Sequence, residues 1–553
     1  MLDLTLGELL DIQANTYPEH EAIVYPFEGI RWTYSQFKQE VDTVARGMVK
    51  MGIKKGDHVS IWATNVPEWI LTQFATARIG AVLVTVNTNY KAFELEYLLR
   101  QSDTSTLVMT SGFKDSDYIR IINELCPELK DSLPGQLQSS KFPYLKNIIH
   151  IGSSRHDGMF NFDDLYDMAE EVEPTTLDKI QGGLTPQDVV NMQYTSGTTG
   201  FPKGVMLTHY NIINNGSAIA DCMHLTYNDR LCIPVPLFHC FGCVLGVMAC
   251  VAKGTTMVLI DHYNPIKVMK AIQQERCTGL HGVPTMFIGI LGNQEFKDYD
   301  FSTLRTGIMA GSPCPTKIMK QVIEDMNMKD ITIAYGQTEF SPVITQTRVD
   351  DPIQLRVSTV GKPLPGVEVK IIDPDTGQEL GVGEQGELIA RGYGVMKGYY
   401  KMEEATKAAI GEDGWLHTGD LATVDENGYY RITGRLKDMI IRGGENIYPR
   451  EIEEFIYTHP AVKDVQVIGV PDRKYGEEVF AYIILKDDIE EPPTEEDMIK
   501  FVKQGLSRFK TPKYVKFIDS YPMTASGKIQ KYKLKAMAIE ELKLDGVICI
   551  ETA

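Results

Sequence analysis

Tyr194-Thr195-Ser196-Gly197-Thr198-Thr199-Gly200-Phe201-Pro202-Lys203-Gly204 is the most informative stretch of this 553-residue chain. It follows a strand-like run, Asp188 to Gln193. Three glycines and consecutive hydroxyls give a loop whose backbone N–H groups can turn inward while the side chains donate further hydrogen bonds. Lys203 adds a mobile positive charge, and the combination suits a polyphosphate. It is not a Walker A loop, because no G-K-[ST] follows at the required spacing. A flexible Ser/Thr/Gly linker has a similar composition, but it rarely sits behind a buried strand or closes with Pro-Lys-Gly.

Upstream, helical and strand patterns alternate, the sign of layered α/β structure. A helix is expected from Tyr34 to Met51, a turn at Lys55-Gly56-Asp57 and a strand from His58 to Ala63. A second helix from Pro67 to Ile79 and a strand from Ala81 to Val86 follow. Downstream, Gly366 to Gly434 is rich in Gly, Asp and short alternating strands: Val367 to Ile372, Gly386 to Arg391 and Gly428 to Ile432. That pattern predicts a small β-barrel-like unit closing a large multi-layer α/β domain over residues 1–434. Residues 435–553 form a smaller α+β domain, with a helix from Pro449 to about His459 and a strand from Val465 to Val470. Thr494 is placed to cap a helix that starts with Glu495 and Glu496.

The length requires more than one core. Hydrophobic residues at 43% and charged residues at 23% are ordinary for a soluble globular enzyme. A net charge of −19 argues against nucleic acid as the main partner. The N-terminus shows no secretory signal, and the apolar run from Cys240 to Ala252 is too short to span a bilayer, so a cytoplasmic protein is expected. Nine cysteines lack regular spacing. Cys240 and Cys243 form a C-x-x-C without a second ligand pair, which is read as packing thiols.

The loop resembles the signature loop of the adenylate-forming superfamily, which contains acyl-CoA synthetases, adenylation domains of peptide synthetases and beetle luciferases. Further segments resemble that family's motifs in its order. They are Tyr335-Gly336-Gln337-Thr338-Glu339, Gly414-Trp415-Leu416-His417-Thr418-Gly419-Asp420, Gly434-Arg435-Leu436-Lys437-Asp438 through Gly443-Gly444-Glu445-Asn446-Ile447-Tyr448-Pro449, and Pro522-Met523-Thr524-Ala525-Ser526-Gly527-Lys528. The resemblance covers nearly the whole chain. It implies an AMP-forming carboxylate–CoA ligase using ATP, Mg²⁺ and coenzyme A, which makes an acyl-adenylate and then passes the acyl group to a thiol. It also implies a mobile small domain.

Residue roles follow from the resemblance. Thr195, Ser196, Gly197, Thr198, Thr199 and Lys203 would hold the phosphates, and Gly311, Ser312 and Pro313 would lie against adenine. Lys528 would reach from the small domain to the carboxylate and α-phosphate oxygens. Glu339 would ligate Mg²⁺, whose hardness favours carboxylate oxygen, and Thr338 would bind the α-phosphate, with Tyr335 beside them in the nucleotide site. Asp420 would accept from the ribose hydroxyls, with Arg435 at the ribose or phosphates. Lys437 aligns with the hinge. The Gly443-Gly444 pair would let the pantetheine arm approach the backbone. His239 would shape the acyl pocket; a base role is not needed, since a carboxylic acid is already ionised at neutral pH.

Small-acid members of the family carry a Trp in the slot of Gly336, so an open acyl channel is expected, lined by Phe241, Val244, Val283, Met286, Phe340 and Val343. The pattern is closest to the medium-chain fatty acyl-CoA synthetases, and alicyclic or aromatic acids could also fit. The alternative is an amino-acid or aryl-acid adenylation enzyme loading a carrier protein. Such modules usually place an Asp near the His239 position, and Pro236 to Gly246 contains no acidic residue. A homodimer is left open.

Overall fold

The structure is a computed structural model and describes residues 1–195, 201–311, 314, 316–374, 376–435, 440–447, 449–486, 489, 491–522 and 531–544, with backbone alone at 317, 433–435, 446, 450, 454 and 532. The helices form where their ends are chemically marked. Thr33 opens the Tyr34–Lys50 helix: its hydroxyl accepts from the Gln36 N–H, while the Gln36 side chain accepts from the Thr33 N–H. Pro67 starts the Pro67–Ile79 helix and Gly80, at φ +75°, ends it. Every residue from Trp69 to Ile79 is buried, so this helix is covered on all sides.

Two large sheets carry the first domain. The eight-stranded sheet has a parallel centre that includes His58–Trp62, Val82–Thr85, Thr106–Met109 and Val189–Thr195, then an antiparallel edge of Lys203–Thr208 and Gly398–Tyr399. The nine-stranded sheet has parallel strands Arg230–Ile233, Gly279–Gly282, Thr306–Ala310 and Asp330–Gly336, followed by antiparallel Val343–Gln346. Side-chain alternation assigns each face. Val59, Ile61, Leu231 and Ile233 join one core with the helices between the sheets. Trp62 faces a second core outside the eight-stranded sheet, and Cys232 a third outside the nine-stranded one. Both faces of both parallel centres are therefore covered, which is why their strands read as nearly unbroken apolar runs.

The expected β unit is a four-stranded antiparallel sheet of Val367–Ile372, Gly386–Gly392, Leu416–Val424 and Tyr430–Arg435. Its last strand starts at Tyr430 rather than Gly428, because Gly428 takes φ +80° in the preceding turn. The smaller domain is a five-stranded sheet with its own two apolar clusters. Its helix Glu495–Gly505 is capped by Thr494, as expected, with Asp497 closing the capping box. Among the described residues no helix is long and apolar enough to cross a membrane.

Candidate active site

The two large sheets meet at the carboxyl ends of Val189–Thr195 and Asp330–Gly336, the position where open α/β sheets place ligands. Thr195 and Lys203 face each other across the antiparallel pair Val189–Thr195 and Lys203–Thr208. Tyr399 lies one strand further out, opposite Val205. The Tyr399 hydroxyl donates to Glu339 Oε1 at 2.8 Å, and the Thr195 hydroxyl donates to the same oxygen at 3.3 Å. Lys203 Nζ stands 4.7 Å from the Tyr399 ring centroid. Glu339 sits on the Thr338–Phe340 turn that follows Asp330–Gly336. One carboxylate is thus oriented by hydroxyls from a different sheet, an arrangement suited to hold a hard cation.

A cavity of about 1240 Å³ opens there, and Thr195, Lys203, His239, Gly336, Thr338, Glu339, Asp420 and Gly444 all line it. Asp420 is 7% exposed and accepts from the Tyr335 hydroxyl at 2.8 Å. The position opposite it on the next strand is Arg435. Gly419, at φ +71°, shapes the bend before Asp420, and its N–H donates to Glu387 Oε1 at 3.0 Å. The other Glu387 oxygen lies 3.0 Å from His417 Nδ1. Glu387 was not singled out from sequence, and neither was Tyr399, since each acts through residues far away in the chain.

The small domain completes the mouth. Gly443 and Gly444 take φ +59° and +87°, and the Gly443 N–H donates to the Tyr475 carbonyl at 2.8 Å. A Cβ on Gly444 would fall 3.1 Å from Val283 Cγ1, and one on Gly311 3.2 Å from the same atom. Glu445 Oε2 lies 3.4 Å from His239 Nε2. Gly311 has φ +88° and does not line the cavity. Ser196, Gly197, Thr198, Thr199, Ser312, Pro313, Lys437 and Lys528 lie outside the described residues, as does the Arg435 side chain.

None of Phe241, Val244, Val283, Met286, Phe340 and Val343 lines the cavity; Phe340 and Val244 are fully buried in separate cores. A Cβ on Gly336 would meet the Pro342 carbonyl oxygen at 1.9 Å. The glycine is therefore required by the close approach of its neighbouring backbone, whatever space it leaves for substrate. Apolar side chains that do line the cavity include Met402, Ala405, Ala408 and Ala409, along and just before the Glu403–Ala409 helix, together with Leu416 and Phe509.

Cys240 and Cys243 are buried. Burial pushes both thiols up, Cys243 to about 12, and the Gln193 amide donates to Cys243 Sγ at 3.1 Å. Among the described residues no group of His, Cys, Asp and Glu is arranged to hold a metal by itself. A cation at Glu339 would therefore complete its shell with oxygens of a ligand and water.

Doubly covered sheets, a hydroxyl-rich hairpin at a shared carboxylate and a glycine turn brought in by a second domain define an enzyme of the adenylate-forming superfamily. The chain belongs to the AMP-binding enzyme family: that family's model matches residues 10–400, and the model of the AMP-binding enzyme C-terminal domain matches 451–528. YngI of Bacillus subtilis (strain 168), whose name assigns it provisionally to the acyl-CoA synthetases, is 58% identical over 99% of both chains. The human mitochondrial medium-chain acyl-CoA ligase ACSF2 is 42% identical over 98% of this chain and 88% of its own. A double mutant of the o-succinylbenzoate CoA synthetase MenE from Bacillus subtilis, bound with its product analogue OSB-NCoA, superposes with a TM-score of 0.79 at 27% identity, covering 97% of this chain and 98% of its own.

Proposed function

We propose that this enzyme joins a medium-chain fatty or ring carboxylic acid to coenzyme A through an acyl-adenylate. The observation that carries the reading is the convergence of Thr195, Lys203, Tyr399 and Glu339 beside buried Asp420 in one cavity, with a glycine turn of the small domain at its mouth. The likeness to ACSF2 over nearly the whole chain supports a medium-chain acid.

In the first step a carboxylate oxygen attacks the α-phosphorus of ATP and pyrophosphate leaves. Two anions meet, so the site must neutralise charge as the bond forms. Lys203 and the hydroxyl-rich loop would bind the phosphates, Thr338 the α-phosphate and Lys528 the reacting oxygens. Mg²⁺ held at Glu339 would neutralise phosphate charge. Asp420, oriented by Tyr335, would accept from the ribose. In the second step the thiol of coenzyme A attacks the acyl carbonyl and AMP leaves. The Gly443-Gly444 turn would admit the pantetheine arm, and His239 would border the acyl group. In this reading Lys437 would serve as the hinge, with the domains divided between Gly434 and Arg435. A cytoplasmic enzyme belongs to the same reading, tested by fractionation; sedimentation decides between monomer and homodimer.

The experiment is ATP–pyrophosphate exchange and CoA-dependent AMP release across a panel of acids from acetate to decanoate, with benzoate and cyclohexanecarboxylate included. The expected result is highest kcat/KM for a medium-chain or ring acid, with exchange lost in Lys528→Ala by about 10²–10³-fold. A preference for acetate refutes the acid assignment. Acyl transfer to a carrier protein with none to coenzyme A refutes the thiol assignment.

A further inference from the structure

We infer that Glu94 is a positioning residue that selects the domain orientation seen here, and so serves the thiol half-reaction without touching either substrate. The inference rests on the two-step reading above. Glu94 belongs to the Ala92–Gln101 helix of the large domain, is 4% exposed, and does not line the active-site cavity. Its Oε2 accepts from the Lys91 N–H at 3.0 Å, which caps its own helix. Its Oε1 reaches across to the small domain, accepting from Ser507 Oγ at 2.7 Å and Lys510 Nζ at 2.9 Å. Lys510 is 2% exposed and also donates to Glu451 Oε1 at 2.5 Å. Its ammonium stands 5.2 Å from the Tyr90 ring centroid of the large domain.

The same helix makes the apolar part of the seam. The Phe93 ring packs edge-on against Phe455 of the small domain at 5.7 Å, and Tyr97 stacks on Phe201 at 4.7 Å while its hydroxyl donates to the Pro202 carbonyl. One helix thus touches the end of the phosphate loop on one side and the small domain on the other.

Burial alone would discharge Lys510, but Glu451 and Glu94 outweigh it and hold the ammonium charged. A buried ion cluster adds little net stability against well-packed apolar groups, yet losing one partner is costly because a charge stays buried without compensation. The cluster therefore works as a registry device. Any slip of the small domain strands Lys510 or Glu94 inside the seam, whereas full withdrawal returns both to water. The orientation it favours is the one that brings Gly444 and Glu445 to the cavity.

The test separates the half-reactions in the full-length enzyme. Glu94→Gln keeps the side-chain shape and an oxygen for the helix cap but removes the charge facing Lys510. The expected result is a fall of about 10- to 100-fold in the single-turnover rate of thioester formation from preformed acyl-adenylate at saturating CoA. ATP–pyrophosphate exchange stays within about twofold, as for a substitution outside the adenylation chemistry. Ser507→Ala, on the opposite side of the seam, should show the same split at smaller size, and Glu94→Asp should recover part of the rate. Equal losses in both half-reactions would assign Glu94 a merely structural role and overturn the inference, as would unchanged thioester formation in Glu94→Gln and Ser507→Ala. Absence of thioester formation in the parent enzyme would instead sink the two-step reading.

Discussion

At the scale of single residues, the site depends on the hydroxyls of Tyr399 and Thr195 that orient the Glu339 carboxylate. Tyr399→Phe removes a hydroxyl that donates to Glu339 at 2.8 Å while leaving the ring packed at 8% exposure. The expected outcome is a fall of about 10-fold or more in ATP–pyrophosphate exchange with an unchanged melting temperature, since a misdirected ligand carboxylate loses affinity for its cation on that scale. Raising Mg²⁺ should recover part of the rate. Gly336→Ala forces a methyl group against the Pro342 carbonyl; a stability loss of about 1–3 kcal/mol by urea unfolding is expected, as for overpacking. The hydroxyl-rich loop and the motifs ending at Glu339 and Asp420 were legible because their residues are close in sequence. Tyr399 and Glu387 were not. Tyr399 meets Glu339 across 60 residues and Glu387 meets Gly419 across 32, and nothing in their own neighbourhoods marks them. Gly336 was legible as a glycine but not for its reason, because a carbonyl approach leaves no trace in the local sequence.

At the scale of elements, the sequence reading matched the helices Tyr34–Lys50, Pro67–Ile79 and Glu495–Gly505, whose boundaries carry Thr caps, a first-turn Pro or a left-handed Gly. It did not reveal how they lock together. Arg78, near the end of the Pro67–Ile79 helix, is 4% exposed in its side chain, 2.6 Å from Asp11 and 2.8 Å from Asp42. Arg78→Met should cost about 3 kcal/mol, the low end for a broken buried pair, because the aspartates are a quarter exposed. Burial favours the neutral form of Asp11, but the Arg78 guanidinium and the Gln181 amide outweigh it and hold the carboxyl below its ordinary range. A carboxyl depressed in the folded state contributes stability at neutral pH and loses it as acid drives the pH down through the folded value. Arg78→Met should therefore also flatten the decline in unfolding free energy below about pH 4, measured by urea titration at several pH values.

At the scale of the whole molecule, the division into a large α/β domain and a smaller one was readable from the shift to short Gly- and Asp-rich strands before Gly434. The seam between them was not, since Glu94 and Lys510 are 416 residues apart and each reads alone as a surface charge. Hydrogen exchange should report that seam. In Glu94→Gln, amides of 92–101 and 506–510 should exchange faster while those of Pro67–Ile79 stay protected, because the opening is local rather than global. The distribution of sulfur gives a second readout. Every described cysteine is buried, Cys126 beside the eight-stranded sheet and the other seven between or outside the sheets of the large domain. With Cys549 replaced by serine, a thiol-reactive dye should leave the native enzyme unlabelled and mark only chains whose large domain has come apart. The enzyme thus carries its own gauge of breathing, one blind to every swing of its smaller half.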